Sequence, residues 1–461
     1  MHLNRKTAVA GATLATAALT LSSVGAMAGV PASPSGFPEL DAALAGEYAG
    51  TAVTLQTQWV AGEGDNFASV LAPFEEATGI DLRVAEVPSG QHETLAKVSL
   101  EGGAAADIIM HPQPAVVLQF GREGLIQDIS QMIDVATLSE NQPALSTYMD
   151  GEALYAIPYK FDVKSVLWYP IKAFEAAGYA VPTTWDELIA LSDQIVADGS
   201  APFCLAIESG PATGWIATDW IEDVMLRTAG IDAYNAWYRG ELPFNSPEVK
   251  EAFDYVGQIF FTDGYVYGGN TNITAVPFTS AQDPMWGPAL DSLEAPDCWM
   301  HKQATWYGPD FFPDKKAGAE ESAFIVGEDV GLFYFPPIKE EHGTPGLSAG
   351  DGFMVTADRP EVRAVAQFMS TPEGIEEWIK LGSAISPNSA TPVEWSKGFY
   401  KPETAAAIFS NANALGFDAS DLMPGSVGAG TFWSGTVDWI TAGGENTEAV
   451  LQAIDDSWPA E

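Results

Sequence analysis

Fourteen tryptophans give this chain of 461 residues its clearest chemical signal. Trp59 precedes Val60-Ala61-Gly62-Glu63, Trp215 follows Gly214, Trp306 precedes Tyr307-Gly308, and Trp433 precedes Ser434-Gly435. These indoles stand beside glycine, aromatic or polar neighbours and not inside apolar stripes. A flat ring can cover the C–H face of a sugar, while carboxylates and amides bond its rim of hydroxyls. The same parts can hold an organic cation against the ring faces. Salt separates these ligands, since affinity for a cation falls with ionic strength and affinity for a neutral sugar barely changes. Any single tryptophan can equally be a core residue that touches the surface.

Other chemistries fail on spacing. Gly346-Leu347-Ser348-Ala349-Gly350 matches the G-x-S-x-G string of a nucleophile elbow. That elbow needs an apolar strand before it, a helix after it and a downstream histidine. Here Gly343-Thr344-Pro345 precedes, a strand-like Gly352 to Thr356 follows, and the last histidine is His342. The five histidines (His2, His92, His111, His301, His342) show no HxxxH or HExxH spacing, and there is no CxxC, so neither a metal nor a cofactor is expected. Gly425 to Gly430 (GSVGAG) lacks both a P-loop lysine and a G-x-G-x-x-G frame. A glycosidase carboxylate pair is not readable from spacing, because the two groups need only meet in space. With 20 Lys and Arg against 62 Asp and Glu, the net charge of −42 argues against binding nucleic acid or anionic lipid.

The elements that must position these residues read as α/β. Ala52 to Trp59 alternates like a half-buried strand. A helix is expected over Asp65 to Ala77, kinked or reset by Pro73 and ended by Gly79. Ile80 to Val87 is the next strand, Gln91 to Leu100 a helix, and Ala106 to Met110 a short buried strand. Strands alternating with helices imply parallel pairing with crossovers. Thr184 with Glu187 predicts a capping box, Ser246-Pro247 a helix start, and Asp358 to Met369 and Thr371 to Leu381 two more helices.

Met1 to Ala28 reads as a secretory signal peptide, with Arg5 and Lys6 first, an apolar stretch, and Ala26-Met27-Ala28 as the cleavage pattern. Removing it takes two basic residues and no acid, leaving 62 acids against 18 bases, −44. No cysteine marks a lipid anchor and no later apolar run is long enough to span a bilayer, so a soluble, periplasmic protein is expected. In that oxidising compartment Cys204 and Cys298, the only cysteines, should form a disulfide.

Several longer strings recur as a set. Leu154 to Pro158 (LYAIP), Ser165 to Tyr169 (SVLWY) and Pro182 to Leu188 (PTTWDEL) follow in order. Around them stand Phe74 to Val84 (FEEATGIDLRV), Gly102 to Met110, Leu347 to Val355 (LSAGDGFMV), Ser370 to Gly382 (STPEGIEEWIKLG) and Met423 to Trp433 (MPGSVGAGTFW). In these strings the chain resembles the extracytoplasmic solute-binding proteins of ABC sugar importers, in the maltose-binding class. His111 to Ile126, Thr213 to Gly230 and Cys298 to Ala304 are similar to the alpha-glucoside-binding branch.

The resemblance implies an α/β, two-lobed periplasmic-binding-protein fold with a hinge and a ligand cleft between the lobes. It implies lobes of residues 29–157 with 348–382, and 158–347 with 383–461. Glu63 or Asp65 matches an acid after the first strand, and Asp162 takes the place of a glutamate that bonds sugar hydroxyls. Trp215, Trp306 and Trp433 fall on aromatic platforms, with Trp59 and the hinge residue Asp351 beside Gly350 and Gly352 completing the set. His111 replaces a family tryptophan, and Gln113 and Pro114 stand where an acid is usual. Implied partners are a neutral alpha-glucoside such as maltose, sucrose or trehalose and the permease subunits of the inner membrane. The protein is expected to be a monomer with no catalytic residues. A polyol or organic-cation binder and a secreted glycoside hydrolase are the alternatives.

Overall fold

The computed structural model describes residues 37–287, 292–308, 311–313, 324–392, 394–395 and 414–459. Met1 to Ala28, read from sequence as a signal peptide, lies outside them. In chain order the strands are β1 (Ala52–Thr57), β2 (Asp81–Glu86), β3 (Ile108–His111), β4 (Met149–Asp150), β5 (Ala153–Leu154), β6 (Ile157–Val163), β7 (Val166–Pro170), β8 (Ala201–Phe203), β9 (Cys298–Lys302), β10 (Val330–Tyr334), β11 (Gly346–Val355) and β12 (Leu415–Phe417).

Alternation builds the first sheet. Val53 and Leu55 of β1 are buried, and β1 pairs in parallel with β2 and β3, setting Val53 beside Leu82 and Leu55 beside Ile108. The sheet order is β12-β11-β3-β1-β2, with β6 also paired to β11. The helix Gly62–Thr78 packs Phe67, Val70, Leu71 and Phe74 into this core. It continues through Pro73 without a break to a left-handed cap at Gly79 (φ 71°), because burying that face outweighs the one ladder bond proline cannot donate. A helix not foreseen in the lead-in, Pro38–Leu44, joins this core where Leu40 N donates to Gln367 Oε1 at 2.9 Å.

The second sheet runs β10-β7-β9-β8. Its core gathers the helices Trp185–Ala197, Trp215–Thr228 and Pro247–Phe260 around Trp220, Trp237 and Trp439. Two connections join the sheets. β6 leaves the first sheet and becomes β7 of the second through only Lys164 and Ser165. β11 pairs with β12 and β6 along its first part and with β3 at its far end. Parallel pairing therefore holds for β1 with β2 and β3, β8 with β9, and β11 with β12. It fails where β11 meets β3 and β6 and where β7 meets β9 and β10, all of which pair antiparallel.

Local signals were met in part. Glu187 N donates to Thr184 Oγ1 at 3.2 Å, but the Glu187 carboxylate accepts from Thr183 N and Oγ1, so half the capping box forms. Ser246 Oγ accepts from Val249 N and opens Pro247–Phe260. Thr371-Pro372 starts a short tight turn, Pro372–Ile375, before the helix Glu376–Leu381, in place of one continuous helix. Ser348 lies within β11 and donates to Gly416 O at 3.0 Å, so its G-x-S-x-G string forms a strand and not an elbow. Cys204 and Cys298 are bonded, with Cα atoms 5.3 Å apart, and tie the residue after β8 to the start of β9.

Candidate functional site

A cleft of about 510 Å³ lies between the two cores, the size of a small-molecule site. Its floor is made by the two connecting strands. Alternation along β6 turns Lys160 and Asp162 to the same side, and Lys164 follows beyond the strand end. β11 adds Ala349, Gly350 and Asp351, with Asp351 opposite Lys160 in register. A side chain at Gly350 would place its Cβ 2.5 Å from Lys160 O, so only glycine lets the strands approach this closely. The register shifts at Asp351/Gly352, a bulge that re-aims the carboxylate.

The floor is charged but internally paired. Lys160 Nζ lies 2.9 Å from Glu63 Oε1 and 3.9 Å from Asp162 Oδ2. Burial alone would lower the Lys160 pKa, but the Asp162, Glu63 and Asp351 carboxylates outweigh it and hold the group well above its ordinary value. Burial pushes Asp162 up to about 7, helped by the charges of Asp351 and Glu63, while Thr305 Oγ1 donates to its Oδ1 at 3.1 Å. Asp351 is raised by burial and accepts a hydrogen bond from Gln58 Nε2. Lys164 Nζ stands 2.7 Å from Asp219 Oδ1 and 2.5 Å from Asp418 Oδ2. Asp219, Glu222 and Asp418 could converge on a metal ion, but the Lys164 ammonium already stands between two of them. Glu222 is also engaged, accepting from Ala419 N and Ser420 N.

One wall is aromatic. Trp215 opens the helix Trp215–Thr228, and its ring lies 5.3 Å from Phe278 and 6.3 Å from Trp306. Trp306 continues to Phe311 at 4.9 Å. All four rings are half-buried. Trp433 closes this side and donates from Nε1 to Ser420 Oγ at 3.3 Å. Gly214 allows the approach, because a Cβ there would lie 2.4 Å from Trp433 O.

Of the residues singled out from sequence, Trp59, Glu63, Gln113, Asp162, Trp215, Trp306, Asp351 and Trp433 line the cleft. Trp59 does so by an edge, being 2% exposed and packed on Phe67 and Trp378. Asp65 points to solvent. His111 is fully buried at the end of β3, against His92 and Phe120, where its Nδ1 accepts from Gln113 N. Burial pushes His111 down to about 3, and His92, which does line the cleft, down to about 4. Lys160, Lys164, Phe278, Phe311, Asp418 and Asp421 also line the cleft and were not singled out. Alternation with Asp162 along β6 is the signal that could have found Lys160.

The pattern of the family described as bacterial extracellular solute-binding protein matches residues 60–376. The chain belongs to that family. As a bacterial extracellular solute-binding protein it is 36% identical over 419 residues to the alpha-glucosides-binding periplasmic protein AglE of Rhizobium meliloti, covering 89% of this chain and 87% of that one. It is equally 36% identical over 409 residues to the osmoprotective compounds-binding protein GgtB of Synechocystis, covering 88% and 92%. The solved structure of the bacterial solute receptor AcbH superposes with a TM-score of 0.74 at 17% identity, over 88% of this chain and 98% of that one. The fold is thus the two-lobed one of periplasmic sugar-binding proteins. Among the described residues no helix is long and apolar enough to cross a membrane.

Proposed function

We propose that this protein is the periplasmic substrate-binding component of an ABC importer, and that it takes a neutral alpha-glucoside or related oligosaccharide by hinge closure. The observation that carries the reading is the aromatic wall Trp215–Phe278–Trp306–Phe311 facing a floor whose ammonium groups are already paired. Such a wall covers a sugar face, and such a floor offers carboxylate oxygens to its hydroxyls. The ring faces that would cradle a cation are already partly used. Lys164 Nζ lies 5.3 Å from the Trp215 ring, and Lys160 Nζ lies 5.8 Å from the Trp59 ring. A second cation would meet those charges, whereas a neutral saccharide would not.

The lobes would be residues 29–157 with 348–382 and residues 158–347 with 383–461, rocking about β6 and β11. Ligand contacts to both lobes would favour the closed state, which then docks on permease subunits of the inner membrane. Met1 to Ala28 would direct export to the periplasm. The Synechocystis relative supports a second ligand class, osmoprotective compounds. A calorimetric panel of maltose, sucrose, trehalose, sorbitol and glycine betaine at low and high salt tests both. Saturable, salt-insensitive binding of a saccharide recovered intact supports the proposal. Tight betaine binding that weakens with salt, or hydrolysis of the sugar, overturns it.

A further inference from the structure

The two lobes meet on the rim of the cleft at a place with no side chain between them. Gly90 is the second residue of the helix Ser89–Glu101, whose Ala96 and Leu100 belong to the first core. Opposite stands the turn at Ser209–Gly210, between Ile207 and Ile216 of the second core. Ser89 on one side and Ala212 on the other both line the cleft, so the contact sits on its rim. A Cβ on Gly90 would lie 2.3 Å from Ser209 O, 2.9 Å from Ser209 C and 3.5 Å from Gly210 Cα.

That carbonyl is held in place. Ser209 O accepts from Ala212 N at 3.1 Å, Ser209 N donates to Thr213 Oγ1 at 2.9 Å, and Gly210 N donates to Glu208 Oε1 at 2.7 Å. Away from the hinge strands, Gly425 has softer neighbours: an added Cβ there would meet the Val116 Cγ2 methyl at 3.2 Å and the Gln119 Oε1 at 3.7 Å. A methyl on a side chain can turn aside, but a bonded backbone carbonyl can yield only if its whole turn moves.

We propose that Gly90 is a closure residue: its missing side chain lets the first-lobe helix seat on the Ser209–Gly210 backbone and seal the mouth of the cleft. This rests on the hinge-closure reading above. Glycine is a poor helix former, so its place in the first turn is a local cost that seating offsets. Alanine or valine at position 90 leaves each lobe's core intact and holds the cleft ajar. The binding-competent fraction then falls, and apparent affinity falls with it.

The test is pulsed electron paramagnetic resonance on the full chain, with spin labels at Lys97→Cys and Glu241→Cys. Both positions are exposed, and the buried native disulfide takes no label. Distances are read without sugar and with saturating maltose, sucrose or trehalose, in wild type, Gly90→Ala and Gly90→Val. The expected result is loss of the short-distance population in Gly90→Val. Affinity for whichever sugar closes the wild type falls on the order of tenfold. Ligand-free Gly90→Ala melts no lower than wild type. A Gly90→Val protein that reaches the wild-type distance and affinity overturns the proposal. So does a lower melting temperature in both ligand-free variants, which would place Gly90 in folding and not in closure. If no sugar moves the wild type, the sugar reading fails, and the ligand-free distances still decide: loss of the short population in Gly90→Val supports the closure role. Its survival there, or its absence from wild type, overturns that role.

Discussion

Lys160 and Glu63 form a buried ion pair, Nζ to Oε1 at 2.9 Å, that ties the hinge strand β6 to the first turn of the helix Gly62–Thr78. Their side chains are 1% and 13% exposed. Asp162 and Asp351 also act on this ammonium, so a single cation offsets several carboxylates on the cleft floor. The floor can stay desolvated only while that cation is present.

Replacing Lys160 by Met should therefore destabilise the fold by about 3–5 kcal/mol near neutral pH, the cost of stranding buried charge. Urea unfolding measures this directly. The loss should shrink in acid, as the stranded carboxylates take up protons. A change below about 1 kcal/mol would mean that the pair behaves like an exposed one.

Asp162 carries a pH signature of opposite sign to the usual carboxylate. Burial, with the Asp351 and Glu63 charges, raises it from 3.8 to about 7, so the folded state holds its proton more tightly than the unfolded chain. Its contribution to stability is full below 3.8 and is lost as pH rises through about 7. Asp162→Asn cannot titrate. The melting temperature of Asp162→Asn minus that of wild type should rise across this interval and level off above it. A difference that stays constant from acid to neutral pH would refute the assignment.

Much of the frame was legible in the chain because periodicity and punctuation report local structure. Alternation in Ala52 to Trp59 marked β1, and Gly79 marked the end of the helix before β2. The aromatic wall was half legible. Trp215 and Trp306 stood out by type, but Phe278 and Phe311 lie in irregular segments with no period to read. Lys164 was not legible at all, because its partners Asp219 and Asp418 lie 55 and 254 residues away. Asp65 shows how fine the distinction is. Two residues beyond Glu63 on a helix is about 200° of rotation, so only one of the two can face the cleft. His111 shows the limit of likeness: every residue of β3 is buried, and its ring turns inward against Phe120 and His92.

The Cys204–Cys298 bridge closes a loop of 94 residues between β8 and β9. The chain-entropy account gives such a closure about 4–5 kcal/mol of stability. The double variant Cys204→Ser/Cys298→Ser should unfold at correspondingly lower urea, with an unchanged slope if its denatured state is no more compact. Wild-type protein in strong reductant should move toward the same midpoint. Equal stability of the bridged and unbridged forms would show that native-state strain cancels the entropy gain.

Trp306 and Trp59 should separate binding from folding, because they stand in opposite environments. Trp306 is half-buried in the wall, with Phe311 at 4.9 Å, Phe278 at 6.2 Å and Trp215 at 6.3 Å. Trp59 is 2% exposed and wedged between Phe67 at 5.1 Å and Trp378 at 4.7 Å. Trp306→Ala should weaken saccharide binding by about 1–3 kcal/mol, the scale of a lost anchor, with little change in melting temperature. Trp433→Ala should weaken it similarly and, because Trp433 is 4% exposed and donates to Ser420 Oγ, should also lower the melting temperature. Trp59→Ala should instead cost about 3–5 kcal/mol of folding stability, from the cavity it leaves. Calorimetry and urea unfolding on the three variants read both quantities. If Trp306→Ala and Trp433→Ala bind the saccharide as wild type does, the ligand does not lie on this wall, because an indole stacked on a sugar ring cannot be removed without loss.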